Sequence, residues 1–352
     1  AIVMSDSIIL GIESSCDDTS AAIIRGNKIL SNIAANQEIH NDYGGVVPEL
    51  ASRAHQQNII PVVEKSLSKA NIQQKDISAV GFTRGPGLLG SLLVGTSFAK
   101  SLAMSLNVPL IEVNHLQAHI LAHFIDDANN MPPKFPFLCL TVSGGHTMIV
   151  LVKDYFDMEI IGKTIDDAAG EAFDKIGKIF ELDYPAGPIV DRLAKTGDKN
   201  SFKFNKPRLE NYDYSFSGIK TSVLYFVQKE VKKNPDFIKE NLADLCASVQ
   251  KSIVEILMDK LEKASKELNI NEVAIAGGVS ANSGLREAMQ QNAEKLGWNI
   301  YIPKFEYTTD NAAMIAMVAK LKYDRGEFAD LSVSATARYD IEEGFAQKND
   351  QI

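Results

Sequence analysis

Ser7-Ile8-Ile9-Leu10-Gly11-Ile12-Glu13-Ser14-Ser15-Cys16-Asp17-Asp18-Thr19-Ser20 opens on an apolar run, breaks at small and acidic residues, and then resumes as a second apolar run. Residues 7 to 12 read as a buried strand. Residues 20 to 25 and 28 to 35 read as two more, joined at Gly26-Asn27 by a tight hairpin. The arrangement returns later in the chain: strands at 137 to 142, 147 to 152 and 158 to 163, with Ser143-Gly144-Gly145-His146 in the first turn.

Behind each meander, helices alternate with strands. In the first half a helix is expected over 46 to 70, kinked or split at Pro61. A strand at 77 to 83, a helix at 88 to 106, a strand at 108 to 113 and a helix starting at Asn114 follow. The second half repeats the scheme with a helix at 169 to 181, an irregular segment from 183 to 221, and a long helix at 237 to 268. A strand at 272 to 276, a helix at 283 to 295, a strand at 299 to 302 and a helix at 310 to 325 close it. The runs expected to pair in parallel are apolar throughout, as strands covered by helices on both faces require. This duplicated α/β pattern resembles the actin, sugar-kinase and heat-shock-chaperone superfamily, which implies two similar domains around a nucleotide cleft. The expected division is 1–130 and 131–352, the second part carrying an insertion at about 183–221.

The 352 residues suffice for two cores, and 45% hydrophobic with 23% charged content is ordinary globular composition. No apolar run is read as approaching the ~20 residues that span a bilayer, so no membrane association is expected. Ala1 to Ser7 show neither a basic nor an apolar leader region, so no secretory signal is expected. Cys16, Cys139 and Cys246 are widely spaced, which fits reduced thiols and a cytoplasmic location. The net charge of −9 argues against a surface given over to nucleic acid. Lys199, Lys203, Lys206 and Arg208, followed by Lys220, form one basic segment, either a solvated loop or a local polyanion contact.

Chemistry-bearing residues gather at the turns. Residues 13 to 20 and 143 to 147 occupy matching places in the two halves, where glycines and hydroxyls let backbone N–H groups approach phosphate. Arg84-Gly85-Pro86-Gly87-Leu88-Leu89-Gly90-Ser91 and Gly277-Gly278-Val279-Ser280-Ala281-Asn282 each follow a strand and open a helix, where anions are favoured. Neither is a P-loop or a Rossmann fingerprint. If Asn114 caps a helix, His115 and His119 share one face, one turn apart. Such a pair either holds a metal ion or is an ordinary pair of core or surface residues. Asp310, in Thr308-Thr309-Asp310-Asn311, either caps the last helix or completes a His₂Asp site across the two domains, suited to iron, zinc or manganese.

Several stretches together carry a more specific resemblance. They are residues 13–19, Gly44-Gly45-Val46-Val47-Pro48-Glu49, the two histidines, residues 142–147, and Asp167-Ala168-Ala169-Gly170-Glu171-Ala172-Phe173-Asp174-Lys175. Ser215-Phe216-Ser217-Gly218-Ile219-Lys220-Thr221 and residues 276–282 complete the set. The chain is similar to the TsaD family, once called O-sialoglycoprotein endopeptidase, from about residue 8 to 338. The resemblance implies an acyltransferase acting in tRNA processing. It would transfer threonylcarbamoyl from threonylcarbamoyl-adenylate to N6 of adenosine 37 in tRNAs reading codons that begin with A.

It further implies a divalent metal, Fe(2+) or alternatively zinc, on His115, His119 and Asp310. Substrate positions implied by the family are Thr141, Val142, Ser143, Gly144, Gly145, Asp174, Gly187, Asp191 and Asn282. Thr141 stands where the archaeal and eukaryotic branch has a ligating tyrosine, and His146 where that branch has asparagine, which places the chain in the bacterial branch. In that branch the implied partners are TsaB, a paralogue of similar fold, and the ATPase TsaE. The segment 46–70 and the helix 88–106 carry more apolar residues than one buried face requires, making them the expected dimer surface. Under this reading the basic segment becomes a candidate tRNA contact. No residue stands out as the base for adenine N6, and His123 is read as incidental.

Two rival activities are testable on residues. A metalloprotease of the H-E-x-x-H type places a glutamate between its histidines; here Leu116, Gln117 and Ala118 stand there. A small-molecule kinase or ATPase would suit the fold but has no need of paired histidines.

Overall fold

The computed structural model describes residues 6–35, 45–127 and 131–342. Gly44 of the Gly-Gly-Val-Val-Pro-Glu motif and the first five residues read for a leader lie outside these. The first sheet contains β1 (Ile8–Glu13), β2 (Thr19–Arg25), β3 (Lys28–Ala35), β4 (Ala79–Gly85) and β5 (Leu110–Asn114), in the order β3-β2-β1-β4-β5. β1, β2 and β3 form an antiparallel meander, and Gly26, at φ +58, closes the turn between Arg25 and Lys28. β4 pairs parallel to β1, and β5 parallel to β4.

The second sheet contains β6 (Phe137–Val142), β7 (Thr147–Asp154), β8 (Asp157–Lys163), β9 (Glu272–Ala276) and β10 (Asn299–Tyr301), in the order β10-β9-β6-β7-β8. Read from the opposite edge this is the same topology with the same strand directions. The duplication expected from the sequence is present.

The helices are α1 (Pro48–Ala70), α2 (Leu89–Leu106), α3 (His115–Leu121), α4 (Ala169–Ile179), α5 (Ala186–Ala194), α6 (Ser217–Val231), α7 (Phe237–Leu268), α8 (Ser283–Leu296) and α9 (Ala312–Asp324). α1 runs unbroken through Pro61, which lies exposed on it. The segment 183–221, read as irregular, holds α5 and the start of α6. By length and composition α2 can cross a membrane, which the sequence reading did not anticipate. It is a layer of the fold: Ser91, Leu92, Gly95, Thr96, Ala99 and Ala103 are buried, and it packs on α1 and β4.

The chain divides into two compact units, one formed by Ala1–Pro132 with Lys304–Ile352 and the other by Pro133–Pro303. This differs from the expected boundary at residue 130, because the last helix does not stay with the second half. In α9 every residue from Ala312 to Lys320 is buried, and the helix packs on β1, β2, β4 and β5. Strand alternation shows why this face accepts it. Ile8, Leu10 and Ile12 of β1 pack in one cluster with Ile59, Val62 and Val63 of α1 and with Ala99 and Ala103 of α2. On the other face stand Gly11 and Gly81, where a Cβ would come within 2.6 Å of Ala316 N and 2.4 Å of Ala319 Cβ. Two glycines therefore clear the bed on which α9 lies.

The core of the second unit joins Leu138, Leu140 and Val142 of β6 to Phe173 and Ile176 of α4 and to Ile253, Leu257 and Leu261 of α7. At about 25 cal/mol per Å² such buried side chains contribute on the order of 2 kcal/mol each.

Candidate functional site

β5 ends at Asn114, whose Oδ1 accepts the N–H groups of Leu116 (2.9 Å) and Gln117 (3.2 Å) and so starts α3 at His115. His115 and His119 then fall one turn apart, with ring centroids 4.7 Å apart and planes at 88°. Asp310 Oδ1 lies 3.2 Å from His115 Nε2 and 3.1 Å from His119 Nε2. One ligating atom from each of the three falls within 4.8 Å of the others. Asp310 is free to face them because Asn311, not Asp310, caps α9, its side chain accepting from Met314 N at 3.1 Å. The expectation of a site shared across two domains is corrected. Asp310 arrives on the returning segment 304–352 and belongs to the same unit as the histidines. His123 is not part of the group.

The charges around this group are concentrated. Burial pushes the His115 pKa down, but Asp310 and Glu13 outweigh it and hold the value well above the ordinary one. Burial pushes the Asp310 carboxyl up, and His115 with His119 draws it well below the usual range. Burial also raises Asp18, and Asp17, Asp310 and Glu13 add to it, so that its pKa reaches about 7.

In the second unit, the turn 143–146 closes on itself. Ser143 N–H donates to His146 O at 2.8 Å, and Ser143 Oγ accepts from the N–H groups of Gly145 (3.3 Å) and His146 (3.0 Å). The N–H groups expected to cradle phosphate are therefore already engaged at Ser143, Gly145 and His146. The glycines remain telling. Neither Gly144 nor Gly145 has positive φ, and a Cβ on either would meet nothing within 4 Å. Gly277 differs: it sits at φ +87 and a Cβ there would strike Val142 O at 2.4 Å.

Thr141 and Val142 are buried on β6, and the Val142 side chain belongs to the core, which leaves only its backbone to meet a ligand. Asp174 Oδ1 accepts from Ala186 N at 2.8 Å, next to Gly187, at the start of α5. Asp191 accepts from Ser283 N (3.1 Å) and Ser283 Oγ (2.6 Å). Asn282 caps α8 through Leu285 N at 3.0 Å, and its Nδ2 donates to Gln250 Oε1 at 2.8 Å. The carboxylates are thus engaged with helix N-termini, and Gly170 of α4 lies against Ser143 and Gly144.

A family model described as TsaD, tRNA N6-adenosine threonylcarbamoyltransferase, matches residues 28–317. The chain belongs to the TsaD family. A protein of that name from Riemerella anatipestifer is 81% identical over 96% of this chain and 99% of its own. Its namesake from Christiangramia forsetii is 63% identical over 94% and 97% respectively. Among solved structures, the Acidaminococcus fermentans (R)-2-hydroxyglutaryl-CoA dehydratase component A aligns at TM-score 0.51 and 16% identity, over 90% of this chain and 98% of that one. That last likeness concerns the fold alone.

Within this TsaD chain the sequence reading passed over one residue of the first unit. Glu13 appears in the opening motif but received no role, although an acidic residue ending an all-apolar strand is a visible signal. Its side chain is fully buried. Oε1 accepts from Ser15 N at 2.5 Å, and Oε2 from Thr83 Oγ1 at 2.5 Å, with His115 Nδ1 at 3.1 Å from the same oxygen. Burial raises this carboxyl, and His115 overrides it to leave the pKa lowered.

Proposed function

We propose that this chain transfers the threonylcarbamoyl group from threonylcarbamoyl-adenylate to N6 of adenosine 37 in tRNAs reading codons that begin with A, acting in the cytoplasm. The observation that carries this reading is the near-full-length identity of 81% to a relative named tRNA N6-adenosine threonylcarbamoyltransferase. The donor is a mixed anhydride with AMP as leaving group. The protein's task is to orient it and to stabilise charge developing on carbonyl and phosphate oxygens. The turn 143–146 supports a phosphate role through the open space over Gly144 and Gly145. Gly187 and Asn282 lie at helix starts, and the carboxylates of Asp174 and Asp191 reach the first residues of α5 and α8, where the threonyl or ribose part of the donor is suited to bind. Adenosine 37 must leave its stack, at a cost of a few kcal/mol.

His115, His119 and Asp310 fit a divalent ion. Two imidazoles and a carboxylate converge with one ligating atom each, and the donor set suits Fe(2+), with Zn(2+) as an alternative. When bound, such an ion supplies Lewis acidity and a template for the donor's oxygens. The absence of a glutamate between the histidines supports transfer over proteolysis. TsaB and TsaE are the proposed partners. Ile60, Leu89, Leu93 and Met104 stay exposed on α1 and α2, which supports a protein partner on these helices.

Metal content and nucleoside analysis of modified tRNA test the reading together. His115→Ala and His119→Ala are each expected to lose the ion and to abolish transfer, with circular dichroism unchanged. Full metal content and full transfer in both variants would refute the ligand assignment.

A further inference from the structure

The two histidines are supported unequally. His115 Nδ1 faces the buried Glu13 carboxylate at 3.1 Å, with Ser15 Oγ at 3.3 Å, while Nε2 of the same ring faces Asp310. His119 also turns Nε2 toward Asp310, but its Nδ1 is buried with no partner among the described residues. Glu13 is itself fixed, because Ser15 N–H and Thr83 Oγ1–H occupy its two oxygens at 2.5 Å. A carboxylate so held, with no solvent contact, keeps lone pairs free for a further donor, and His115 Nδ1 stands at the oxygen it shares with Thr83.

The geometry points to Glu13, with Thr83 behind it, as the positioning pair that fixes His115 as the Nδ1–H tautomer and presents Nε2 to a divalent cation. His115 is then the anchored ligand and His119 the adaptable one. This deepens the metal reading above and rests on it. A histidine ligand whose second nitrogen donates to a carboxylate is oriented and made more basic, and losing such a partner weakens metal binding by about 10–100-fold. Glu13 lies outside the converging group of three and acts through His115.

The full-length protein loaded with one equivalent of Zn(II), and labelled with ¹⁵N at its histidines, gives a test that needs no variant. Long-range ¹H–¹⁵N spectra are expected to show His115 ligating through Nε2 with a protonated, hydrogen-bonded Nδ1. Ligation through Nδ1 would overturn the proposal. In a Zn(II) competition titration, Glu13→Gln is expected to raise Kd 10–100-fold and to move the His115 Nδ1–H resonance upfield. Thr83→Val should weaken binding several-fold, and Thr83→Ser should restore it. A folded Glu13→Gln protein that binds Zn(II) as tightly as the wild type would overturn the proposal and leave the metal site standing. A wild type whose Zn(II) binding is indifferent to His115→Ala would overturn the metal reading itself, and this one with it.

Discussion

Asp18 lies half-buried in the turn after β1, and its pKa is pushed up from the ordinary 3.8 to about 7. Its charged form is disfavoured first by lost hydration and then by Asp17, Asp310 and Glu13. Between these two pH values the native state keeps a proton that the unfolded chain has released, so stability must fall as pH rises through that window. The effect is absent below about pH 4 and complete above about pH 7. A three-unit shift corresponds to about 4 kcal/mol for a fully dry group. Partial solvent contact screens it, and roughly 2 kcal/mol is the expected size. In urea denaturation of the metal-free protein, Asp18→Asn should therefore match the wild type at pH 4 and exceed it by that amount at pH 8. A constant difference at both pH values would show that burial does not act on Asp18 as described.

The elements legible in the sequence are those whose signals are local. The two meanders follow from apolar runs ending at turns, and α7 follows from a helical pattern sustained over Phe237–Leu268. α5 and α6 escaped notice because their starting signals are remote. α5 begins after Pro185 with no cap of its own, and Asp174 supplies the acceptor. α6 begins at Ser217 under Asp166, whose Oδ1 accepts from the N–H groups of Phe216 (2.7 Å) and Ser217 (3.3 Å). The destination of α9 was hidden for another reason. A helix buried on nearly every side does not say which sheet it covers, and the clue lay in Gly11 and Gly81 on distant strands. The same logic separates structural from functional glycines in the turn 143–146. Its hydrogen bonds run through Ser143, so Gly145 is required neither for backbone conformation nor for packing. Gly145→Val should leave thermal stability within about 0.5 kcal/mol of the wild type. Isothermal titration with a stable analogue of threonylcarbamoyl-adenylate should nonetheless show at least tenfold weaker binding. Unchanged affinity would remove the phosphate role from this turn.

At the scale of the whole molecule, charge decides how the protein meets a polyanion. The chain carries 45 acidic against 36 basic residues, and the basic segment from Lys199 to Lys220 is weaker than its composition suggests. Lys206 is paired with Glu255 at 2.7 Å and Asp259 at 3.2 Å, and Lys220 lies 3.6 Å from Asp167. Lys199, Lys203 and Arg208 remain exposed. Each phosphate neutralised by a protein cation contributes through counterion release, so a patch of about three cations gives a shallow salt dependence and weak binding. TsaB and TsaE, as proposed partners, would have to add positive surface for tRNA to be held. Filter binding of tRNA to the isolated chain at about 50 mM salt should therefore be weak, with a log–log salt slope near −3. The same titration with TsaB and TsaE present should be tighter by at least tenfold and steeper in slope, and multiple-turnover modification should appear only there. Tight binding and repeated turnover by the isolated chain would show that its own surface suffices, and the partner requirement would then be wrong.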